Sequence, residues 1–405
     1  MKRVIVFSAA MLAAGVAFAQ NNTSTLGQVG TDNQATVDQT GLMGGNNTAA
    51  GTQAGNENQL KQYQRGAGNR QTSQQVGDQN QTDQSQTGRS HELRAAVLGD
   101  YNQVKQTQSG QGNDGRSTTI GDWNKVLQTQ DGLGNEARVG QIGNRNEATQ
   151  TQSGGSTGAG NDAYITQIGH HNKATQTQLG DLNEARIVQG DGIPLDGHNK
   201  ATQLQTGYEN KASATQLGAT STSYQEQLGG IQNQATVIQR GGNDNWASQS
   251  QRIGSEENRN NVALIEQVGN FNRAEQTQIG SRNDAKAEQR GSHNRSVQTI
   301  GIGGSDDNVA RVWQQGNGNR AEQTIVNDDN RATIEQDGDD SRAEQYQNGF
   351  RNVAYVDQDG DGHRANQSQL GNDNTARAWQ GASGQTSVIT QVGNGNAANV
   401  RQDHP

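Results

Sequence analysis

QVGNFNRAEQTQIGSRNDAKAEQRG, residues 267–291, writes the phrase Gln-x-Gly-x-x-Asn-x-Ala twice in succession. With Gln267 as a register mark, Gln278 and Gln289 follow at steps of eleven. The same step runs from Gln336 through Gln347, Gln358, Gln369, Gln380 and Gln391 to Gln402. It also runs from Gln53 through Gln64, Gln75, Gln86, Val97, Gln108, Thr119, Gln130 and Gln141 to Gln152. Between these phases the spacing stretches by one to five residues and resumes, so that 33 register positions span Gln28 to Gln402. Gln fills all of them except Val97, Thr119, Ile300 and Ile325. An Asn stands six residues before most marks, among them Asn146, Asn172, Asn183, Asn272, Asn283, Asn352, Asn374 and Asn396. A register held over this length identifies a repeat architecture rather than polar low complexity.

An eleven-residue unit is too short for a helix hairpin, and Gly and Asn at fixed offsets mark a turn. The spacing predicts about six extended residues, Ala-x-x-x-Gln-x, followed by a Gly-x-x-Asn reversal. Alternate strand residues share a face, so the Ala, the residue two after it and the register Gln point the same way. That middle residue alternates down the chain: Gln128, Val139, Gln150, Ile165, Gln176, Ile187, and later Gln276, Ala287, Gln298, Val312. The true period is therefore 22 residues, one strand-turn-strand rung. The fold expected is all-β: a β-solenoid of about 16 rungs with two facing parallel sheets, cross-β in character and roughly 75–80 Å long. One sheet offers Ala-Gln-Gln rows to the interior and the other Ala-Val/Ile/Ala-Gln rows. Each interior Gln then lies over a Gln of the next rung, where amides hydrogen-bond along the axis. An unpaired buried amide costs about 1–3 kcal/mol, so polar satisfaction enforces register.

Composition agrees that apolar burial does not order this chain. Of 405 residues 28% are hydrophobic and 4% aromatic, with 54 glycines, two prolines and no cysteine; mean hydropathy is -1.01. Lys2 and Arg3, an apolar run from Val4 to Phe18 and the small-residue pattern at Ala17–Ala19 read as a secretory signal peptide cleaved after Ala19. The organisation expected is a signal peptide over 1–19, a short segment over 20–27, the repeat array over 28–402 and a tail over 403–405. Without Lys2 and Arg3 the balance is 30 basic against 41 acidic residues, a net of -11, which argues against a nucleic-acid surface. No later stretch has the roughly 20 apolar residues of a membrane span.

The repeat resembles that of the curlin repeat proteins, the subunits of bacterial curli amyloid fibres, in a long multi-repeat variant. Gln141-Ile142-Gly143-Asn144-Arg145-Asn146-Glu147-Ala148 with Gln152, and Gln167-Ile168-Gly169-His170-His171-Asn172-Lys173-Ala174 with Gln178, carry the resemblance. It implies a secreted structural subunit of extracellular, fimbrium-like fibres in the biofilm matrix, which mediates adhesion and surface colonisation by self-polymerisation. The partners it implies are further copies of the chain, a curli-type nucleator, an outer-membrane secretion channel, and host or abiotic surfaces. Ladder and assembly positions are then Gln141, Asn146, Gln152, Gln167, Asn172, Gln178, Asn183, Gln267, Asn272, Gln276, Gln278, Asn283, Gln289, Gln347, Asn352, Gln358, Gln369, Asn374, Gln391, Asn396 and Gln402.

Other chemistry is sparse. The histidines, His91, His170, His171, His198, His293, His363 and His404, lack metal-ligand spacing. DQDGDGH at 357–363 echoes a calcium loop without the bidentate Glu of an EF-hand. Acidic residues from Asp328 to Asp361 fall at turns, as gatekeepers against premature stacking or as solvated positions. No catalytic, cofactor or metal site is expected, and the chain is not expected to be an enzyme. Over residues 53–130 the Ala position reads Leu60, Gln71, Thr82, Leu93, Val104, Gly115 and Val126, either a section with its own assembly behaviour or drift in tolerant rungs. Extended turns near Met43–Asn46, Ser153–Gly160, Gly190–His198, Gly254–Asn260 and Gly301–Asp307 read as tolerated insertions or partner loops. The alternative function is a monomeric secreted surface-binding solenoid, ice-binding or adhesin-like. Thr107, Thr129, Thr151, Thr177, Thr277, Thr299 and Thr324 share an outward column, which Leu204, Glu226 and Tyr346 interrupt.

Overall fold

The structure is a computed structural model, and it describes residues 21–41, 45–155, 159–190, 197–252, 259–301 and 305–403. The signal-peptide segment, His404 and residues 42–44, 156–158, 191–196, 253–258 and 302–304 at the five extended turns lie outside the described residues.

Among the described residues the chain forms 33 strands and no helix, from β1 (Thr23–Val29) and β2 (Gln34–Thr40) to β32 (Thr386–Val392) and β33 (Ala397–Gln402). Odd-numbered strands build a sheet of 17, even-numbered strands a sheet of 16. Every strand pairs in parallel with the second strand along the chain, at matching motif positions: Gln141 lies on Gln167, Gln276 on Gln298, Gln369 on Gln391. This is the β-solenoid of about 16 turns and 22-residue period that the repeat predicts. The array starts slightly earlier than the first register mark, since β1 begins at Thr23 and Asn22 already accepts the Asn47 N–H at 3.1 Å.

The inward set of each strand is the one that the alternation assigns. In β22 (Arg273–Ile279), Ala274, Gln276 and Gln278 are buried while Arg273 is exposed and Glu275 and Thr277 are half-buried. Ala-Gln-Gln rows belong to the even sheet and Ala-Val/Ile/Ala-Gln rows to the odd sheet, so a thin polar core alternates with aliphatic clusters such as Val139, Ile165, Ile187 and Ala214. Rung turns hold left-handed residues at fixed places. Gly143 has φ 110 and Arg145 φ 58, and a Cβ at Gly143 would stand 2.1 Å from the Gly169 carbonyl oxygen of the next rung. Glycine is required there because the stacked turn leaves no room for a side chain.

The irregular early rungs are compensated rather than loosely filled. Leu60 and Leu93 are fully buried, and each meets a glycine. A Cβ on Gly51 would stand 2.3 Å from Leu60 Cδ2, and one on Gly115 2.7 Å from Leu93 Cδ2. Large and small residues thus interlock across the interior, as close packing requires.

Candidate functional site

The register glutamines form two axial columns. In the odd sheet Gln141 donates through Nε2 to Gln167 Oε1 at 2.8 Å, Gln167 to Gln189 at 2.9 Å and Gln189 to Gln216 at 2.9 Å. The column continues without interruption through Gln267 to Gln289 at 2.9 Å and Gln358 to Gln380 at 2.9 Å, ending with Gln380 to Gln402 at 3.0 Å. In the even sheet Gln152 donates to Gln178 at 2.9 Å, Gln251 to Gln278 at 2.8 Å, Gln347 to Gln369 at 2.9 Å and Gln369 to Gln391 at 2.8 Å. The middle position of the even sheet adds a third column, in which Gln249 donates to Gln276 at 3.0 Å and Gln276 to Gln298 at 2.7 Å.

From Gln39 onward, the second Nε2 hydrogen of each register Gln reaches across the interior to the first carbonyl of the preceding strand. Gln152 bonds Glu136 O at 2.9 Å, Gln178 bonds Asp162 O at 2.9 Å and Gln289 bonds Arg273 O at 3.1 Å. One amide therefore joins rung to rung and sheet to sheet. Because every Nε2 donates toward the C-terminal end, the ladders have a direction. Where residues other than Gln interrupt a column, the next Gln has an Oε1 with no donor among the described residues. Gln141 follows Val97 and Thr119, Gln347 follows Ile300 and Ile325, and Gln62 follows Val37; all three oxygens are buried and unbonded. Donor ends are served instead by nearby groups: Gln75 Nε2 meets Thr82 Oγ1 and Gln59 O, and Gln278 Nε2 meets Val262 O at 2.8 Å and Asn283 O at 3.0 Å.

The turn asparagines form two further columns, one at each edge of the solenoid. Asn146, Asn172 and Asn272 stand before even strands, and Asn183, Asn283, Asn352, Asn374 and Asn396 before odd ones. Along each column an Oδ1 accepts the backbone N–H of the Asn one rung on, and most Nδ2 groups bond the turn-glycine carbonyl of that rung, while Asn283 Nδ2 bonds Ser305 O at 2.9 Å and Asn172 Nδ2 bonds Ile168 O at 3.1 Å. Asn146 Oδ1 accepts the Asn172 N–H at 3.0 Å while Asn146 Nδ2 donates to Gly169 O at 2.8 Å. Asn352 Oδ1 accepts the Asn374 N–H at 3.0 Å, and Asn374 Oδ1 the Asn396 N–H at 2.9 Å. The repeat marks this Asn by its regularity alone; its work appears only once its partner is known to lie 22 residues away.

Two histidines take over that work, which spacing rules for metal ligands do not reveal. His91 and His363 occupy Asn positions and are buried. His91 Nδ1 accepts the Asn113 N–H at 3.2 Å, and His363 Nδ1 the Gln385 N–H at 3.2 Å. Their Nε2 atoms lie 3.2 Å from Thr87 O and Asp359 O. Nδ1 stands in for Oδ1 and Nε2–H for the amide donor, which requires a neutral ring. Burial holds His91 below the usual imidazole range.

Turn acids also act as acceptors. Asp78, Asp100 and Asp122 each accept a backbone N–H from the preceding rung, as do Asp328, Asp339 and Asp361. Asp361, in the calcium-like stretch, is thus engaged by the Asp339 N–H, and no metal-binding group of His, Asp and Glu occurs among the described residues. His170 Nδ1 accepts the Asn144 N–H at 3.1 Å, and His171 stacks on His198 at 4.6 Å. The outward threonine column lies in register from Thr107 to Thr177, then meets Leu204 and Glu226.

The Curlin associated repeat family model matches residues 134–169 and 338–371, each a run of three strands. Two copies of that repeat, in the two halves of the array, support the curlin repeat family for this chain. No curated protein matches it.

Proposed function

We propose that this chain, carrying curlin repeats on a β-solenoid, is a structural subunit of an extracellular curli-like fibre. It polymerises end to end and contributes to a biofilm matrix that adheres to surfaces. The observation that carries this reading is the complementarity of the two solenoid ends. At the N-terminal end Gln28 and Gln39 donate forward, at 2.6 Å to Gln53 and 2.8 Å to Gln64, so their Oε1 acceptors face outward. At the C-terminal end Gln391 and Gln402 bond Thr375 O and Thr386 O, and the hydrogen that would continue each ladder points out of the array. Among the described residues no strand pairs with the outer edges of β1, β2, β32 or β33. Open parallel edges template further strands, and a head-to-tail contact between unlike ends grows a filament rather than a closed ring.

The curlin repeat and the solenoid are structural, not enzymatic, and a curli-type protein acts outside the cell. Export through an outer-membrane channel, nucleation by a second protein and adhesion to host or abiotic surfaces belong to the same reading. The test is whether purified chain forms thioflavin-positive, detergent-resistant fibres. A bulky folded domain fused after Pro405 should shorten or abolish them while monomer stays soluble; fibres of unchanged length and yield would refute end-to-end growth.

A further inference from the structure

Among the described residues the number of half-repeats is odd. Seventeen strands lie in one sheet and sixteen in the other, so the array opens and closes with an odd-sheet strand, β1 and β33. If a second copy continued each sheet as itself, its β1 would cover β33 at one strand spacing. Its β2 would then stand two spacings, about 9.6 Å, from β32, and that row of backbone groups would lack partners. A half-turn about the long axis removes the gap: β1 of the second copy covers β32, and β2 covers β33. We infer that successive copies join by this half-turn, each sheet of one subunit continuing as the opposite sheet of the next. The inference rests on the end-to-end fibre reading.

Interior chemistry at the ends supports it. The middle Gln column runs only in the even sheet, and swapping sheets there would lay amides against the aliphatic row of the odd sheet, orphaning them. That column stops before both ends. Val37 lies on Gln62 at one end, and Gln367 lies on Ile389 at the other. The terminal strands consequently match in both sheets, with Leu26 or Val37 at the N-terminal end and Ile389 or Val400 at the C-terminal end. Each middle residue is preceded by a small inward residue, Ser24, Ala35, Ser387 or Ala398, and followed by a Gln. Leu26, inward by register with Gly51, is 46% exposed, an aliphatic side chain of the core with no described residue stacked beyond it.

In the half-turn junction Gln391 donates to Gln28 of the second copy and Gln402 to its Gln39. Gln28, which donates to Gln53 within the chain, gains the Ala397 carbonyl. That is the same reach to the first carbonyl of the preceding strand that Gln39 makes to Thr23 O at 3.1 Å.

The chain has no cysteine, so introduced pairs report the junction directly. The half-turn sets Gly27 of one copy beside Thr390 of the next, both outward and exposed, at one strand spacing of about 4.8 Å, within disulfide reach. Gly27 and Arg401 then lie on opposite outer faces, more than the roughly 10 Å sheet separation apart and out of reach. Oxidised Gly27→Cys/Thr390→Cys fibres should run as a covalent ladder on denaturing, non-reducing gels, and Gly27→Cys/Arg401→Cys fibres as monomer. Thr25→Cys with Val388→Cys or Asn399→Cys repeats the comparison should a first variant not assemble. A ladder from the Arg401 or Asn399 pair overturns the half-turn. Fibres linked through neither pair, or equally through both, overturn this junction while self-assembly stands. Wild-type chain that forms no fibres overturns the fibre reading and this inference with it.

Discussion

Ladder direction makes the cost of losing a glutamine depend on where it stands in its run. Gln267 Oε1 accepts from Gln239 at 2.8 Å, and its Nε2 donates to Gln289 at 2.9 Å and Trp246 O at 3.0 Å. Gln267→Leu breaks the ladder on both sides and newly orphans Gln289 Oε1, while Gln239 Nε2 keeps Thr222 O at 3.1 Å. Gln141 stands first in its run. Its Oε1 is already unbonded, and its Nε2 donates to Gln167 at 2.8 Å and Lys125 O at 3.2 Å. Gln141→Leu removes one orphan oxygen as it creates another at Gln167. The same chemical change thus differs by one orphaned buried acceptor and one ladder bond. At about 1–3 kcal/mol for the first and about 0.5–1.5 kcal/mol for the second, Gln267→Leu should be the more destabilising by about 1.5–4.5 kcal/mol. Guanidinium unfolding followed by circular dichroism, below the concentration at which fibres form, measures both variants against wild type. Equal costs, or the larger cost at Gln141, would refute directional amide ladders as the source of this stability.

Three further outcomes are expected. Gln276→Lys places a cation between Gln249 and Gln298 with no carboxylate partner, a penalty of several kcal/mol, whereas outward Thr277→Lys should stay within about 0.5 kcal/mol. The polymerisation lag and denaturant resistance of the two variants check the parity, and a more damaging Thr277→Lys would reverse it. Gly143→Ala should cost at least about 1–3 kcal/mol, since its Cβ would overlap the Gly169 carbonyl at a φ of 110; denaturation midpoints read the loss. Because folding depresses the His91 pKa from 6.5, unfolding takes up a proton there. Its contribution is complete above about pH 6.5 and is lost as pH falls through the depressed folded value. His91→Asn should remove that part of the acid sensitivity in a pH series of unfolding curves, and an unchanged slope would sink the assignment.

Fold and interior were legible because the determinants are periodic. The eleven-residue step, the Gly-x-x-Asn turn and the alternation of Gln with Val, Ile or Ala at the middle position suffice to set strand length, parity and rung size. What stayed hidden depends on partners a rung away. Asn146 reads as a turn residue, yet it works by binding Asn172 and Gly169 in the next rung. His91 and His363 look like stray titratable groups until their ring nitrogens fall on the sites of an Asn amide. Leu60 and Leu93 look like drift until Gly51 and Gly115 are found against them. Ladder direction is invisible to composition as well, since it resides in which end of each amide faces forward.

The four register positions that lack Gln show what the ladders specify. Val97 and Thr119 are neighbours in the odd column, as are Ile300 and Ile325 in the even column. Adjacent substitutions share one pair of run ends, so two replacements orphan a single glutamine oxygen, to which Thr119 adds its own buried, unbonded Oγ1. Beside Val97 and Thr119 the even column continues from Gln86 to Gln108 and Gln130 at 3.0 and 2.7 Å. Beside Ile300 and Ile325 the odd column continues from Gln289 to Gln314 and Gln336, both at 2.8 Å. No rung loses both register amides. A one-residue slip in a strand turns its inward set to water, and aliphatic rows resist a slip along the strand weakly because one methyl packs nearly as well as the next. An amide that must meet an Oε1 ahead and a carbonyl across does not tolerate it. Keeping at least one register column intact at every level therefore holds the register through rungs where the other column lacks its Gln.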